Sequence, residues 1–148
     1  MTRAKRLQPV QEVVGDAERR LAQSVGAFDR RVREAEAKLQ ELERYRLEYE
    51  QQFAQRAGQG ISASSLRDYQ AFLSRLAEAV RQQQIVVQRA IAERDAEHLR
   101  WQQAAKRAKA LDHVVGQWRA DERLATDRRE QRDTDERGQR TKRNEMLK

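Results

Sequence analysis

From Leu66 to Trp118 the chain keeps one spacing without a break. Leu66, Leu73, Val80, Val87, Arg94, Trp101, Ala108 and Val115 take the a position of a heptad. Tyr69, Leu76, Gln83, Ala90, Glu97, Ala104, Leu111 and Trp118 take d, and only Gln83, Arg94 and Glu97 in the lattice are strongly polar. A 3.5-residue period held this long demands a helix whose apolar stripe faces a partner along its length, as in a left-handed coiled coil. An earlier stretch obeys the same lattice. Val25, Val32, Leu39, Arg46 and Phe53 fall on a, and Val14, Leu21, Phe28, Ala35, Leu42 and Tyr49 on d; Gln11, Glu18 and Arg46 are its polar exceptions. The chain is 37% charged and only 5% aromatic, which by itself also suits a disordered chain. Disorder gives no reason to hold such a lattice, so the period decides for helix.

Between the two stretches lies "GQGISASS", residues 58–65, with two glycines and three serines. Gly58 suits the residue just past a helix end, where a left-handed backbone costs glycine little. Ser62, Ser64 or Ser65 suits the N-cap of the next helix, and Ser65 with Asp68 approximates a capping box. So short a link joins antiparallel neighbours. The expected fold is therefore all-α: an elongated antiparallel two-helix coiled-coil hairpin in which helix 2 is longer than helix 1. Residues 1–148 are expected to form one coiled-coil domain, with helix 1 over about 9–56, a turn over about 57–63 and helix 2 over about 64–136. Pro9 is placed in the first turn of helix 1, where its missing N–H is harmless. Few apolar positions remain beyond Leu124, so the charged tail 119–148 reads either as a fraying helix end or as a segment that docks into a partner.

The net charge is +7, from 31 basic and 24 acidic residues that interleave without long like-charge blocks. That mixture describes a solvated helical surface better than a phosphate-tracking stripe. No cysteine is present, which removes disulfides and thiolate metal sites. His98 and His113 lie 15 apart with no paired ligand a turn away, so neither is expected to hold a metal. "GQG" lacks the strand, lysine and helix of a phosphate loop. A two-helix hairpin offers little concavity in which to perturb a carboxylate. No catalytic residue, cofactor-binding residue, cofactor or metal is expected, and the chain is read as not an enzyme. The segment "MTRAKRLQPV" carries no apolar region of a secretory signal, and no apolar run suits a membrane span.

One side of the seam is unusual. In an antiparallel pair the g positions of both helices flank one side of the seam and the e positions the other. The e positions of helix 1 are mostly acidic: Asp29, Glu36, Glu43 and Glu50. The g positions near the turn are Tyr45, Phe72, Ala79 and Val86, above Leu42, Tyr49 and Leu76 at d. A lone hairpin cannot bury its g side, so an exposed apolar and aromatic patch is expected there, of the kind that marks interaction sites. Trp101 and Trp118, at a and d, are assigned to the seam.

The stretches "LQELERYRLEYEQQF", "GQGIS", "LRDYQAFLSRLAEAVRQQQ", "RWQQAAKRAKAL" and "DRREQRDTDERGQR" closely resemble the FliJ family of flagellar type III export proteins. The sharpest part is Tyr45 and Tyr49, the G-x-G turn, then Tyr69, Phe72 and Leu76. The resemblance implies a stalk-like coiled-coil hairpin. It also implies partners: the hexameric flagellar export ATPase, the export-gate membrane protein FlhA and flagellar export chaperones, with no small-molecule substrate and no nucleic acid. It implies a cytoplasmic location, peripheral to the inner-membrane export apparatus. The family's gate-binding positions fall on Leu42, Tyr45, Tyr49, Phe72, Leu76 and Ala79; Lys38 and Gln83 depart from the residues the family can carry at its flanks. The alternatives are the equivalent stalk protein of an injectisome, which shares this architecture, and a generic basic coiled-coil scaffold or nucleic-acid-binding protein.

Overall fold

The structure, a computed structural model, describes residues 1–147. It consists of two helices, α1 (Arg3–Gln59, 57 residues) and α2 (Ala63–Met146, 84 residues), with no strand among the described residues. The fold is all-α, an antiparallel hairpin whose second helix is the longer. Two compact units share these helices: Arg20–Gln102, which contains the turn, and Met1–Arg19 with Gln103–Lys148. No described helix is long and apolar enough to cross a membrane.

In the turn-containing unit the seam follows the heptad. Val32, Ala35, Tyr69, Leu76 and Val80 are buried, with Leu39, Leu42, Tyr49, Phe53, Leu66 and Leu73 half-buried beside them. Gln83, a polar interruption of the lattice, is also buried, and its side-chain amide donates to the Ala35 carbonyl at 3.0 Å. The hydrogen bond removes most of the desolvation cost that an unpaired amide would carry there. Arg94, another interruption, is half-buried at the seam edge, 3.9 Å from Asp29 across it. Glu97 is buried against α2's own Arg100 at 3.3 Å.

In the other unit Val115 is fully buried and Ala4 nearly so. The Arg3 guanidinium lies 4.8 Å from the Trp118 ring centroid, and the Gln11 amide donates to Asp112 at 2.9 Å. Glu122 accepts from the Ala4 amide at 3.4 Å. The first turn of α1 holds no acidic residue of its own, so this carboxylate from α2 offsets the positive end of the helix dipole. Trp118 is half-buried here, as Trp101 is in the turn-containing unit.

Several boundaries differ from expectation, each for a local reason. Helix α1 begins at Arg3 rather than near residue 9, because Thr2 caps it: its hydroxyl accepts from the Lys5 amide at 3.2 Å. Pro9 therefore lies inside α1, in its second turn. The lattice continues back through Ala4 and Leu7, which supplies burial to offset the missing hydrogen bond. The left-handed residue at the turn is Gly60 (φ 94°), not Gly58, which stays helical. Ser62 is the N-cap of α2: its hydroxyl accepts from the Ser65 amide at 3.1 Å and donates to the Ser65 hydroxyl at 2.9 Å. Finally, α2 remains helical to Met146 instead of stopping near residue 136, although every described residue from 123 onward is exposed. That stretch has seven arginines, no proline and only one glycine, and its threonines donate back to carbonyls of their own helix, so local chemistry suffices to keep it helical.

Gly116 gives a stability prediction. It lies inside α2, is exposed, and an added Cβ would meet nothing within 4 Å. Gly116→Ala is expected to stabilise the chain by about 0.5–1 kcal/mol, read as a rise in melting temperature of roughly 2–4 °C. A fall in melting temperature would show that the backbone there departs from regular helix.

Candidate partner-binding face

The turn-proximal part of the hairpin is built around rings. Tyr45, Tyr49 and Phe53 stand four residues apart on α1, hence one above another on neighbouring turns. Tyr69 and Phe72 stand three apart on α2. Antiparallel packing interleaves them. Phe53 meets Tyr69 at 5.4 Å between ring centroids, Tyr69 meets Tyr49 at 5.2 Å, and Tyr49 meets Phe72 at 4.3 Å. Tyr45 closes the series, 6.2 Å from Tyr49 and 6.1 Å edge-on to Phe72. Five of the six Phe and Tyr residues of the chain are in this one cluster. Tilted and edge-on pairs at these separations contribute about 0.5–1.5 kcal/mol each beyond their burial. Arg56 extends the series toward the turn, 5.8 Å from the Tyr69 ring centroid.

The six residues singled out from the sequence divide into layers. Leu76 is buried in the seam; Leu42, Tyr49, Phe72 and Ala79 are half-buried; Tyr45 is 49% exposed. Val86, next along the g row of α2, is 46% exposed. Rings bring Tyr45, Tyr49 and Phe72 together. Leu42, Leu76 and Ala79 line the same stretch of the two helices without a ring to join the cluster. Phe72 is less exposed than its g position suggested, because it lies against Tyr49 with Tyr45 edge-on to it. Tyr45 therefore stands out as an exposed aromatic side chain on a supported base, and Phe72 is partly that base.

By heptad position Phe53 and Tyr69 belong to the seam, and that position alone does not link them to the patch. Their signal was the four-residue ladder 45–49–53 set against 69–72. Gln83 reads in the sequence as a polar interruption of the lattice and as a departure at the flank of the patch; its buried bond to Ala35 leaves no mark in a heptad pattern.

The remaining polar surface is solvated helix. Arg81 and Gln82 both reach Glu78, and these hydrogen bonds, Gln82's first, hold its exposed carboxyl below the usual carboxylate range. Arg46–Glu50 and Arg19–Asp16 are similar neighbours along one helix. Such pairs contribute little individually. Among the described residues no three of His, Cys, Asp and Glu gather where they could hold a metal ion.

No curated protein and no solved structure matches the chain. A family model described as the flagellar FliJ protein matches residues 3–147 of the 148, both helices and the turn included. A match of that extent on a hairpin with this aromatic turn end places the chain in the FliJ family, among proteins of flagellar export.

Proposed function

We propose that this chain is a non-enzymatic coupling component of the flagellar type III export apparatus. Its turn-proximal g-side face, Leu42, Tyr45, Tyr49, Phe72, Leu76 and Ala79, engages the export-gate membrane protein FlhA. The unit that holds both the start of α1 and the exposed part of α2 works as the stalk-like partner of the hexameric export ATPase. Flagellar export chaperones are its further partners, and its location is cytoplasmic, peripheral to the inner membrane. The observation that carries this reading is Tyr45, half-exposed on a base of rings, in a chain of the FliJ family. A large aromatic ring pre-packed against others loses little freedom on docking, which suits it to be an interface anchor. The charged, exposed surface of α2 suits a contact that must engage without locking, since exposed ion pairs are each worth only about 0–1 kcal/mol.

The test is co-purification of the tagged full chain from its native cytoplasm and membrane extract. Recovery of the export ATPase, the gate protein and export chaperones is expected. Salt-sensitive recovery of nucleic acid, with none of those proteins, would overturn the reading in favour of a basic nucleic-acid-binding coiled coil.

A further inference from the structure

The face that carries Tyr45 has two charged margins of opposite sign. On a helix the c position lies just outside g, away from the seam. The c row of α1 is Glu34, Glu41 and Glu48; that of α2 is Arg75, Gln82 and Arg89. All six are exposed. None of the five charges among them makes an ion pair with any described residue, although pairs one turn apart form elsewhere on both helices. The contacts Tyr49–Phe72, Ala35–Gln83 and Asp29–Arg94 fix the register of the helices. At that register Glu48 is level with Arg75, Glu41 with Gln82 and Glu34 with Arg89, each to within a helical turn. The face is thus a largely apolar floor, interrupted by Lys38 at g of α1, with an acidic c row on α1 and a basic c row on α2.

We propose that a second copy of this chain docks on this face, parallel and turn end beside turn end, as a weak reversible dimer. The geometry is self-complementary in only one sense. Placing two such faces together about a two-fold axis along the hairpin sets the acidic margin of each copy over the basic margin of the other. Glu48 then faces Arg75 of the second copy, Glu34 faces Arg89, and Glu41 faces the Gln82 amide. Along the floor, Tyr45 falls level with the stretch between Phe72 and Ala79 of the second copy, a ring on one side and a small side chain on the other. Lys38 lays its aliphatic stem over Val86 and keeps its ammonium at the water. A two-fold axis across the hairpin would instead set glutamates over glutamates and arginines over arginines, which repels. The contact uses about ten residues a side, against the roughly 20–30 of a standard stable interface. It is therefore weak, with a dissociation constant of about 0.1–1 mM. It shares its floor with the proposed gate contact but does not depend on it, since only the purified chain is involved.

The experiment is sedimentation velocity of the full chain from about 10 µM to 1 mM in low salt, the range that brackets this affinity. The weight-average mass is expected to rise from 17.4 kDa toward twice that value and to fall back as salt screens the margins. Two charge-swapped chains make the test specific. Glu34→Arg with Glu48→Arg makes both margins net basic, with Glu41 the one acidic residue left; Arg75→Glu with Arg89→Glu renders both acidic. Each alone is expected to self-associate at least about tenfold more weakly, with unchanged helix content by circular dichroism, and an equimolar mixture to form heterodimers. Orientation is read from energy transfer between dyes on Gln59→Cys, since the chain has no other cysteine. Parallel docking brings the turn ends within about 30 Å, and antiparallel docking over the same face parts them by on the order of 55 Å. A mass that stays at 17.4 kDa throughout, swapped chains that associate as well as the parent, a mixture that forms no heterodimer, or turn ends far apart would each overturn the proposal.

Discussion

Replacing Tyr49 with Ala is expected to lower the melting temperature by about 6–10 °C, whereas Tyr45→Ala leaves it within about 2 °C. The two rings are neighbours, but their surroundings differ. Tyr49 is half-buried and touches three rings: Tyr45 at 6.2 Å, Tyr69 at 5.2 Å and Phe72 at 4.3 Å. Truncating it empties the middle of the cluster and separates the α1 rings from those of α2. A fully buried ring costs about 3–5 kcal/mol on truncation; for a half-buried one at a seam that can partly close, about 2–3 kcal/mol is expected. Tyr45 has half of its surface in water and caps the cluster instead of bridging it. Phe72→Ala is expected to fall between them, because it is both half-buried base and part of the face. Thermal unfolding followed by circular dichroism at fixed concentration measures all three. Equal losses for Tyr45 and Tyr49 would mean that the outer ring is core, and the distinction between anchor and base would fail.

The second large effect concerns the exposed part of α2. Removing residues 128–148 is expected to leave the melting temperature within about 2 °C while reducing stimulation of the export ATPase at least about tenfold. The stability half of this follows from packing. Among the described residues the last cross-helix hydrogen bond is the Ala4 amide to Glu122, and Thr2 shares a shallow surface depression with residues as far as Asp127. Beyond that point every described side chain is exposed. Thr134 and Thr141 donate back to carbonyls of their own helix. The functional half rests on the proposed stalk role. Under that role the charged, exposed surface of this segment is what meets the ATPase. Stimulation by the truncated chain equal to that of the full chain would remove the ATPase role from this segment.

The sequence and the structure agree where burial controls conformation. Val32, Ala35, Leu76, Val80 and Val115 were placed on the seam by spacing alone, and each is buried, because a 3.5-residue stripe has one way to leave water. Agreement weakens where short-range chemistry decides. Gly58 and Gly60 are equally able to adopt a left-handed backbone. The choice of Gly60 follows from the Ser62 cap two residues later, which fixes where α2 begins. Thr2 displaced the start of α1 in the same way, overriding a proline that marks a first turn only when no better cap precedes it. The continuation of α2 to Met146 depends on many small propensities, with no burial to announce it. At the candidate face, heptad labels sorted Tyr45 and Phe72 together. Their unequal exposure arises from side-chain directions: the ring at 72 leans onto Tyr49, and the ring at 45 stands at the edge. A lattice of a to g records which side a residue faces and not how far its ring reaches.

The supported, half-exposed Tyr45 face is the proposed meeting point of this FliJ-family chain with the export gate. The most direct measurement is titration of the purified cytoplasmic part of the gate protein with the parent chain and with Tyr45→Ala, each checked for unchanged melting. Binding at least about tenfold weaker is expected for Tyr45→Ala at equal stability, the loss characteristic of an interface anchor. Full affinity in a folded Tyr45→Ala chain would contradict it.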